Sequence, residues 1–260
     1  MVKAIFFDID GTLVSFNTHT ISASTRQALT LLREKGIKVF IATGRPKSLM
    51  MNAVGDLKFD GYITLNGAHC FTADHRDIHK ACIPQEDIER LIGYHHRHPE
   101  TPFVFVDEEG WFITHCNEAV KEVAKLIEID VPPVTPVEAA RGKEILQIMG
   151  YFKENEDREV FSSVLTHCES MRWYPLFTDI ISRGTSKSQG IDKVLEFYGI
   201  KLEDTMAFGD GGNDIPMLKH VNLGVAMGNA SDTVQAAADY VTTSVDEEGI
   251  MRALQHFGIL

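Results

Sequence analysis

Asp8 and Asp10 close an apolar run, Ala4-Ile5-Phe6-Phe7, and are followed at once by Gly11 and Thr12. Strand side chains alternate, so acids two residues apart share a face if the strand continues. A turn at Gly11 instead leaves both acids at the strand's carboxyl end, where open α/β sheets bind ligands. Two neighbouring anions repel and persist only if a cation or a proton offsets them. A second pair, Asp210 and Asp214, flanks Gly211-Gly212-Asn213 after another short apolar run. Oxygen ligands of this kind, with no Cys or His cluster beside them, suit Mg²⁺ better than zinc. Lys187 opens a helix after Gly184-Thr185-Ser186, and Thr43 stands at the end of a further strand. An ammonium, a hydroxyl and free backbone N–H groups together make a phosphate cradle.

Such residues need a frame that carries them to one edge. Ile21 to Lys35 has helical spacing, with Ser22 as N-cap and Gly36 beyond the end. Ile37 to Ala42 reads as a second strand and Tyr62 to Leu65 as a third, which ends at Asn66-Gly67-Ala68. The strand–helix–strand order implies parallel pairing with a right-handed crossover. From Pro84 the rhythm changes. Gln85–Arg97 and Glu118–Ile127 read as helices, and Phe103–Val106 with Trp111–His115 as a hairpin. Ile145–Phe152 reads as a strand, Glu156–His167 as a helix and Met171–Ile181 as one or two strands. Alternation returns after Gly184, with a helix from Ser186 to Tyr198 and strands at Thr205–Phe208 and Leu223–Ala226. The expected fold is therefore α/β: a doubly wound, mostly parallel sheet formed by residues 1–83 and 183–260. An inserted α+β domain is expected at 84–182.

With 260 residues, 44% of them hydrophobic, the chain can bury a substantial core. Its 25 basic and 37 acidic side chains give a net charge of -12, which argues against a nucleic-acid surface. A small anionic substrate remains compatible, because a metal and a few local cations can invert the field at one site. Cys70, Cys82, Cys116 and Cys168 form no CxxC pair and read as reduced structural residues. The first apolar run is too short for a signal peptide, and no stretch approaches the roughly 18 apolar residues of a membrane span. A cytoplasmic protein with no membrane partner is expected.

Asp8-Ile9-Asp10-Gly11-Thr12, then Thr43, then Lys187, then Gly209-Asp210-Gly211-Gly212-Asn213-Asp214 resemble, in order, the four motifs of the haloacid dehalogenase superfamily of phosphatases. Ala42-Thr43-Gly44-Arg45 and Leu65-Asn66-Gly67-Ala68 resemble its Cof-type sugar phosphatase subgroup, and the insertion stands where that family carries a C2-type cap. Gly212 stands where many members have a larger residue. The resemblance implies a Rossmann-like core and a Mg²⁺-dependent hydrolase of small phosphorylated metabolites such as hexose or pentose phosphates. It implies Asp8 as nucleophile and Asp10 as acid and base, with Thr43 and Lys187 on the phosphoryl oxygens. The metal falls to the Asp8 carboxylate, the Asp10 backbone carbonyl and Asp210, with Asp214 orienting waters behind them. Gly44, Arg45, Asn66 and Asn213 complete the expected substrate-binding set. Arg183, His115, Arg172 and Trp173 are weaker candidates near or inside the lid.

Two other functions use similar residues. A phosphomutase would share the aspartyl-phosphate but must shield it from water. A phospho-accepting signalling module also places acids and a lysine at strand ends, but is much shorter and needs a long-lived phosphoaspartate. Asp10, two residues beyond the nucleophile, argues for rapid turnover. Nothing in the sequence fixes the oligomeric state, and a monomer is compatible with it.

Overall fold

The computed structural model describes residues 1–126 and 129–260, with nothing described of the Arg158 and Trp173 side chains; Ile127, the expected last residue of a helix, lies outside the described residues. The chain divides into two compact units, Met1–Lys80 with Ser186–Leu260, and Ala81–Thr185.

The first unit opens with β1 (Ala4–Phe7), every residue of which is buried. Helix α1 (Ala23–Glu34) follows, its N-cap Ser22 accepting from the Thr25 N–H at 3.1 Å. Then come β2 (Lys38–Ala42), α2 (Lys47–Val54), β3 (Gly61–Thr64), β4 (His69–Thr72) and β5 (Asp77–Lys80).

The second unit contains α3 (Gln85–Arg97), β6 (Phe103–Val106), β7 (Trp111–Ile113), α4 (Glu118–Leu126), β8 (Gln147–Gly150), α5 (Asp157–Glu159), β9 (Cys168–Tyr174) and β10 (Phe177–Ser182). Its antiparallel sheet runs β7-β6-β8-β10-β9. The apolar stripe of α3, Ile88, Leu91 and Ile92, joins Phe103, Phe105, Ile148 and Ile180 in one core. The helix expected over Glu156–His167 is broken: α5 lasts three residues and Val160–Val164 is a π turn. The Ser163 hydroxyl donates to the Glu159 carbonyl at 2.8 Å, a back-bond that competes with the regular helical ladder.

The chain then returns to the first unit with α6 (Lys187–Tyr198), β11 (Thr205–Gly209), α7 (Ile215–His220), β12 (Leu223–Ala226), α8 (Asp232–Gln235), β13 (Tyr240–Val241) and α9 (Gly249–His256). Its eight strands lie in the order β13-β12-β11-β1-β2-β3-β4-β5. The six from β13 to β3 are parallel, while β4 and β5 add antiparallel hairpins at one edge. The alternation of β1 splits its side chains between two layers. Ile5 and Phe7 pack with Leu29 and Leu32 of α1 and Leu254 of α9; Ala4 and Phe6 pack with Ile191 and Val194 of α6 and Met217 of α7. Strand order runs outward from β1 in one direction through β2 and β3, and in the other through β11 and β12. That reversal creates a crevice at the carboxyl ends of the central strands.

Candidate active site

Asp8 continues β1 by one ladder rung, its N–H donating to the Phe208 carbonyl of β11 at 3.0 Å. The nearly buried carboxylate is thereby fixed where the strand order reverses. Lys187 is the first residue of α6 and follows the N-cap Ser186, whose hydroxyl accepts from the Gln189 N–H at 3.2 Å. Its ammonium is fully buried and donates to Asp8 Oδ1 at 2.5 Å and to Asp214 Oδ1 at 2.6 Å. The other Asp214 oxygen accepts the Asp210 and Gly211 N–H groups, each at 2.9 Å, and so closes the turn after β11. Gly212 sits in that turn with open space where a Cβ would be, so a larger residue is not excluded there by crowding.

Oxygens of Asp8, Asp210 and Asp214 lie within 4.8 Å of one another. One ammonium cannot neutralise three clustered carboxylates, two of them buried. Burial, then the charge of Asp214, pushes the Asp8 carboxyl up to about 8 against the pull of Lys187. Burial likewise raises Asp210 to about 7, although the Thr12 hydroxyl lowers it in part. Burial works against the charge on Lys187, but Asp214 and Asp8 outweigh it and hold the proton more firmly than on a free lysine. An all-oxygen group with surplus negative charge fits a hard divalent cation such as Mg²⁺.

Asp10 stands apart from this trio. Its carboxylate is half-exposed and is gripped by the Arg45 guanidinium, Nε to Oδ2 at 2.8 Å and Nη2 to Oδ1 at 2.6 Å. Such a fork fixes the plane of the carboxylate as well as its position. The bond to Asp10 also raises the guanidinium's proton affinity. Arg45, expected on the substrate, thus lies on the acid. Gly11 turns the chain beyond Asp10 with φ +81°, and a Cβ there would strike Asp210 Oδ2. The close passage of the first loop beside Asp210 therefore requires glycine.

Thr43 is buried and its hydroxyl accepts from the Arg45 N–H at 3.1 Å. A hydroxyl that accepts one bond keeps its own proton to donate. Asn66 donates its N–H to the Thr43 carbonyl at 3.0 Å, and Gly44 passes against the Asn66 amide. Leu65 and Asn66 have φ of 51° and 53°. Asn tolerates that region, whereas a buried Leu there is an outlier of the kind that collects at functional loops. Asn213 donates from Nδ2 to Asn66 Oδ1 at 2.9 Å, tying the turn after β11 to the loop after β3.

The weaker candidates Arg183, His115, Arg172 and Trp173 belong to the second unit. Arg183 donates to the Cys168 carbonyl, and Arg172 is held by Asp157 and by the Phe177 and Phe152 carbonyls, all inside the second unit. Thr12, whose type and place in the sequence point to no role, donates its hydroxyl to Asp210 Oδ1 at 2.8 Å. Asn229, in the turn after β12, also reaches Asp210. The only signal at Asn229 is a Gly-Asn pair beyond a strand end, and such pairs are common in ordinary turns.

Comparison with known proteins places this arrangement in context. The haloacid dehalogenase-like hydrolases match the chain over residues 5–254. A Bacillus subtilis (strain 168) protein named Putative phosphatase YkrA is 35% identical over 99% of this chain and 98% of its own. The solved structure of the HAD-superfamily phosphatase BT1666 from Bacteroides thetaiotaomicron superposes with a TM-score of 0.91 at 41% identity, covering 100% of this chain and 96% of that one. A solved sugar phosphatase of HAD subclass IIB superposes with a TM-score of 0.86 at 46% identity, covering 100% of both chains.

Proposed function

This chain belongs to the haloacid dehalogenase-like hydrolase family, as a phosphoric monoester hydrolase of its Cof-type branch, and on that premise we propose that it is a Mg²⁺-dependent phosphatase of sugar phosphates working through an aspartyl-phosphate on Asp8. The observation that carries this reading is the buried Lys187 ammonium held between Asp8 and Asp214, with Asp210 beside them.

In this mechanism a carboxylate oxygen of Asp8 attacks phosphorus while the bond to the leaving alcohol breaks. Lys187 holds the other charge of the pocket and fixes the orientation of Asp8. Thr43 and Lys187 bind phosphoryl oxygens, and Asn213 and Asn66 set the distance between their loops. Asp10, carrying a proton taken from solvent, gives it to the departing alkoxide. It then takes a proton from the water that attacks phosphorus and frees Asp8. A Mg²⁺ ion held by Asp8, Asp210 and the Asp10 carbonyl, with Asp214 behind them, would supply neutralisation of the nucleophile and of the phosphoryl oxygens.

We assign residues 84–182 the part of a cap that selects the leaving alcohol. We place the reaction in the cytoplasm, with which the absence of any described helix long and apolar enough to cross a membrane is compatible. A panel of hexose, pentose and other phosphate esters, assayed with Mg²⁺ and with chelator, tests the reading. Sugar phosphates should head the panel and EDTA should stop turnover. Asp8→Asn should release no phosphate and keep the wild-type circular dichroism. Normal turnover by that variant, or indifference to chelator, would refute the mechanism. A requirement for a bisphosphate activator would replace it with a mutase.

A further inference from the structure

Asn229 lies outside every motif considered above, yet its side chain joins three separate parts of the chain. Its Nδ2 donates to the Gly11 carbonyl at 2.9 Å and to Asp210 Oδ2 at 3.3 Å, while its Oδ1 accepts from the Val245 N–H at 2.9 Å. An amide has two N–H donors, so one group can serve both Gly11 and Asp210. The Val245 bond also fixes which end of the amide points where: a flipped Asn229 would set its oxygen against the Gly11 carbonyl and an Asp210 oxygen. The side chain is therefore locked with its donors toward Asp210.

The surrounding loop is built for this. A Cβ on Gly228 would lie 2.7 Å from the Ser244 nitrogen, so only glycine lets the turn after β12 press against the segment leading to Val245. Gln235 of α8 braces the same turn from behind, donating to the Ala230 carbonyl at 2.8 Å. On the far side of Asp210, the Thr12 hydroxyl donates to Oδ1 at 2.8 Å. Each oxygen of Asp210 thus receives one protein donor and keeps lone-pair capacity for a cation.

We infer that Asn229 is a positioning residue for the metal: with Thr12 it clamps the Asp210 carboxylate, and through Gly11 it holds that carboxylate in register with the loop carrying Asp10. The inference rests on the reading of Asp8, Asp210 and Asp214 as a Mg²⁺ site. Groups that orient a metal ligand typically change metal affinity by about 10- to 100-fold when removed.

The test is calorimetric titration of Mg²⁺ into metal-free wild-type protein and into Asn229→Ala and Asn229→Asp, with thermal midpoints measured in parallel. Asn229→Asp can still accept from Val245, so the loop tie survives while both donors are lost, and it decides the matter if the alanine variant does not fold. Its added charge alone would favour a cation, which makes weakened binding the more telling result. Both variants should bind Mg²⁺ at least about tenfold more weakly. The Mg²⁺ concentration for half-maximal activity should rise by the same factor, with KM for the substrate unchanged. A lowered midpoint in metal-free protein with unaltered Mg²⁺ affinity would mean that Asn229 only ties loops together, and would overturn the inference alone. No Mg²⁺ binding by the wild type would overturn the metal reading and the inference with it.

Discussion

Stripped of divalent cations, the protein should lose stability as pH rises through neutrality, and Mg²⁺ should restore it. Asp8 is held up to about 8 and Asp210 to about 7 in the folded chain, whereas an unfolded aspartate titrates near 3.9. The folded state therefore binds the extra protons. Their contribution to stability is complete below the unfolded value and is lost as pH climbs through the folded values. Between about pH 6.5 and 8.5 the loss comes to about 2 kcal/mol for Asp8 and about 1 kcal/mol for Asp210. For a chain of this size that lowers the thermal midpoint by about 5–10 °C. Most other shifted groups titrate outside this window, while the thiols of Cys70 and Cys168, pushed up by burial, add a smaller loss of the same sign near its top. Asp77 and Asp107 are held below the ordinary carboxylate range and change charge at lower pH. His79 and His95 are lowered mainly by burial, and act with the opposite sign below about 6.5. The assay is thermal unfolding by circular dichroism of EDTA-treated protein at both pH values, with and without Mg²⁺. At a hundred times its dissociation constant the ion should add about 2.7 kcal/mol. Its effect should be larger at the higher pH, where no proton has to be displaced. Metal-free stability that stays flat or rises across the window would refute the reasoning, as would an equal Mg²⁺ effect at both pH values. In Asp210→Asn the slope should shrink by that residue's share.

Two further outcomes follow from the same geometry. Lys187→Met leaves Asp8 and Asp214 buried without their ammonium, and should cost about 3–5 kcal/mol in urea unfolding at high pH, less where Asp8 can take up a proton; a loss under about 1 kcal/mol would show that the pair is not what holds the pocket. Gly11→Ala forces a side chain into Asp210 at a left-handed φ, and should destabilise by about 1–3 kcal/mol; phosphate release should fall by about a hundredfold through displacement of the two loops, and a fully active variant would contradict the close passage described for Gly11.

The central strands and the helices α1 and α6 were readable because each carries a strong local signal: an unbroken apolar run, or a Ser N-cap with an apolar stripe and a terminal glycine. Other elements lack one. Helix α2 buries only Met50 and Val54, too few to print a helical period. Strands β4 and β5 are short, and β5 is only half-buried, so sheet pairing rather than pattern makes them strands. In the site, acids and a lysine announce themselves by type and spacing, and the structure brings Asp8, Lys187, Asp210 and Asp214 into one cluster. Pairing is a different matter. That Arg45 holds Asp10 and that Asn213 meets Asn66 depends on loops from different strand ends, whose approach no local spacing encodes. Asn229 is the extreme case, an unremarked turn residue whose role exists only once three segments converge.

The placement of β1 at the centre of the sheet has a consequence for synthesis. Asp8 and Lys187, bonded in the finished protein, are 179 residues apart in the chain. At about 5–20 residues per second, on the order of 10–40 s separate their emergence from the ribosome. Through that interval β2 can pair with β1 on one side, but β11 does not yet exist to cover the other. The nascent segment carries an open, wholly apolar strand edge, the kind of surface that invites association with other chains. The same late pairing that brings Asp210 and Asp214 to Asp8 also closes that edge, so the acidic cluster and the protection from aggregation arrive in one step.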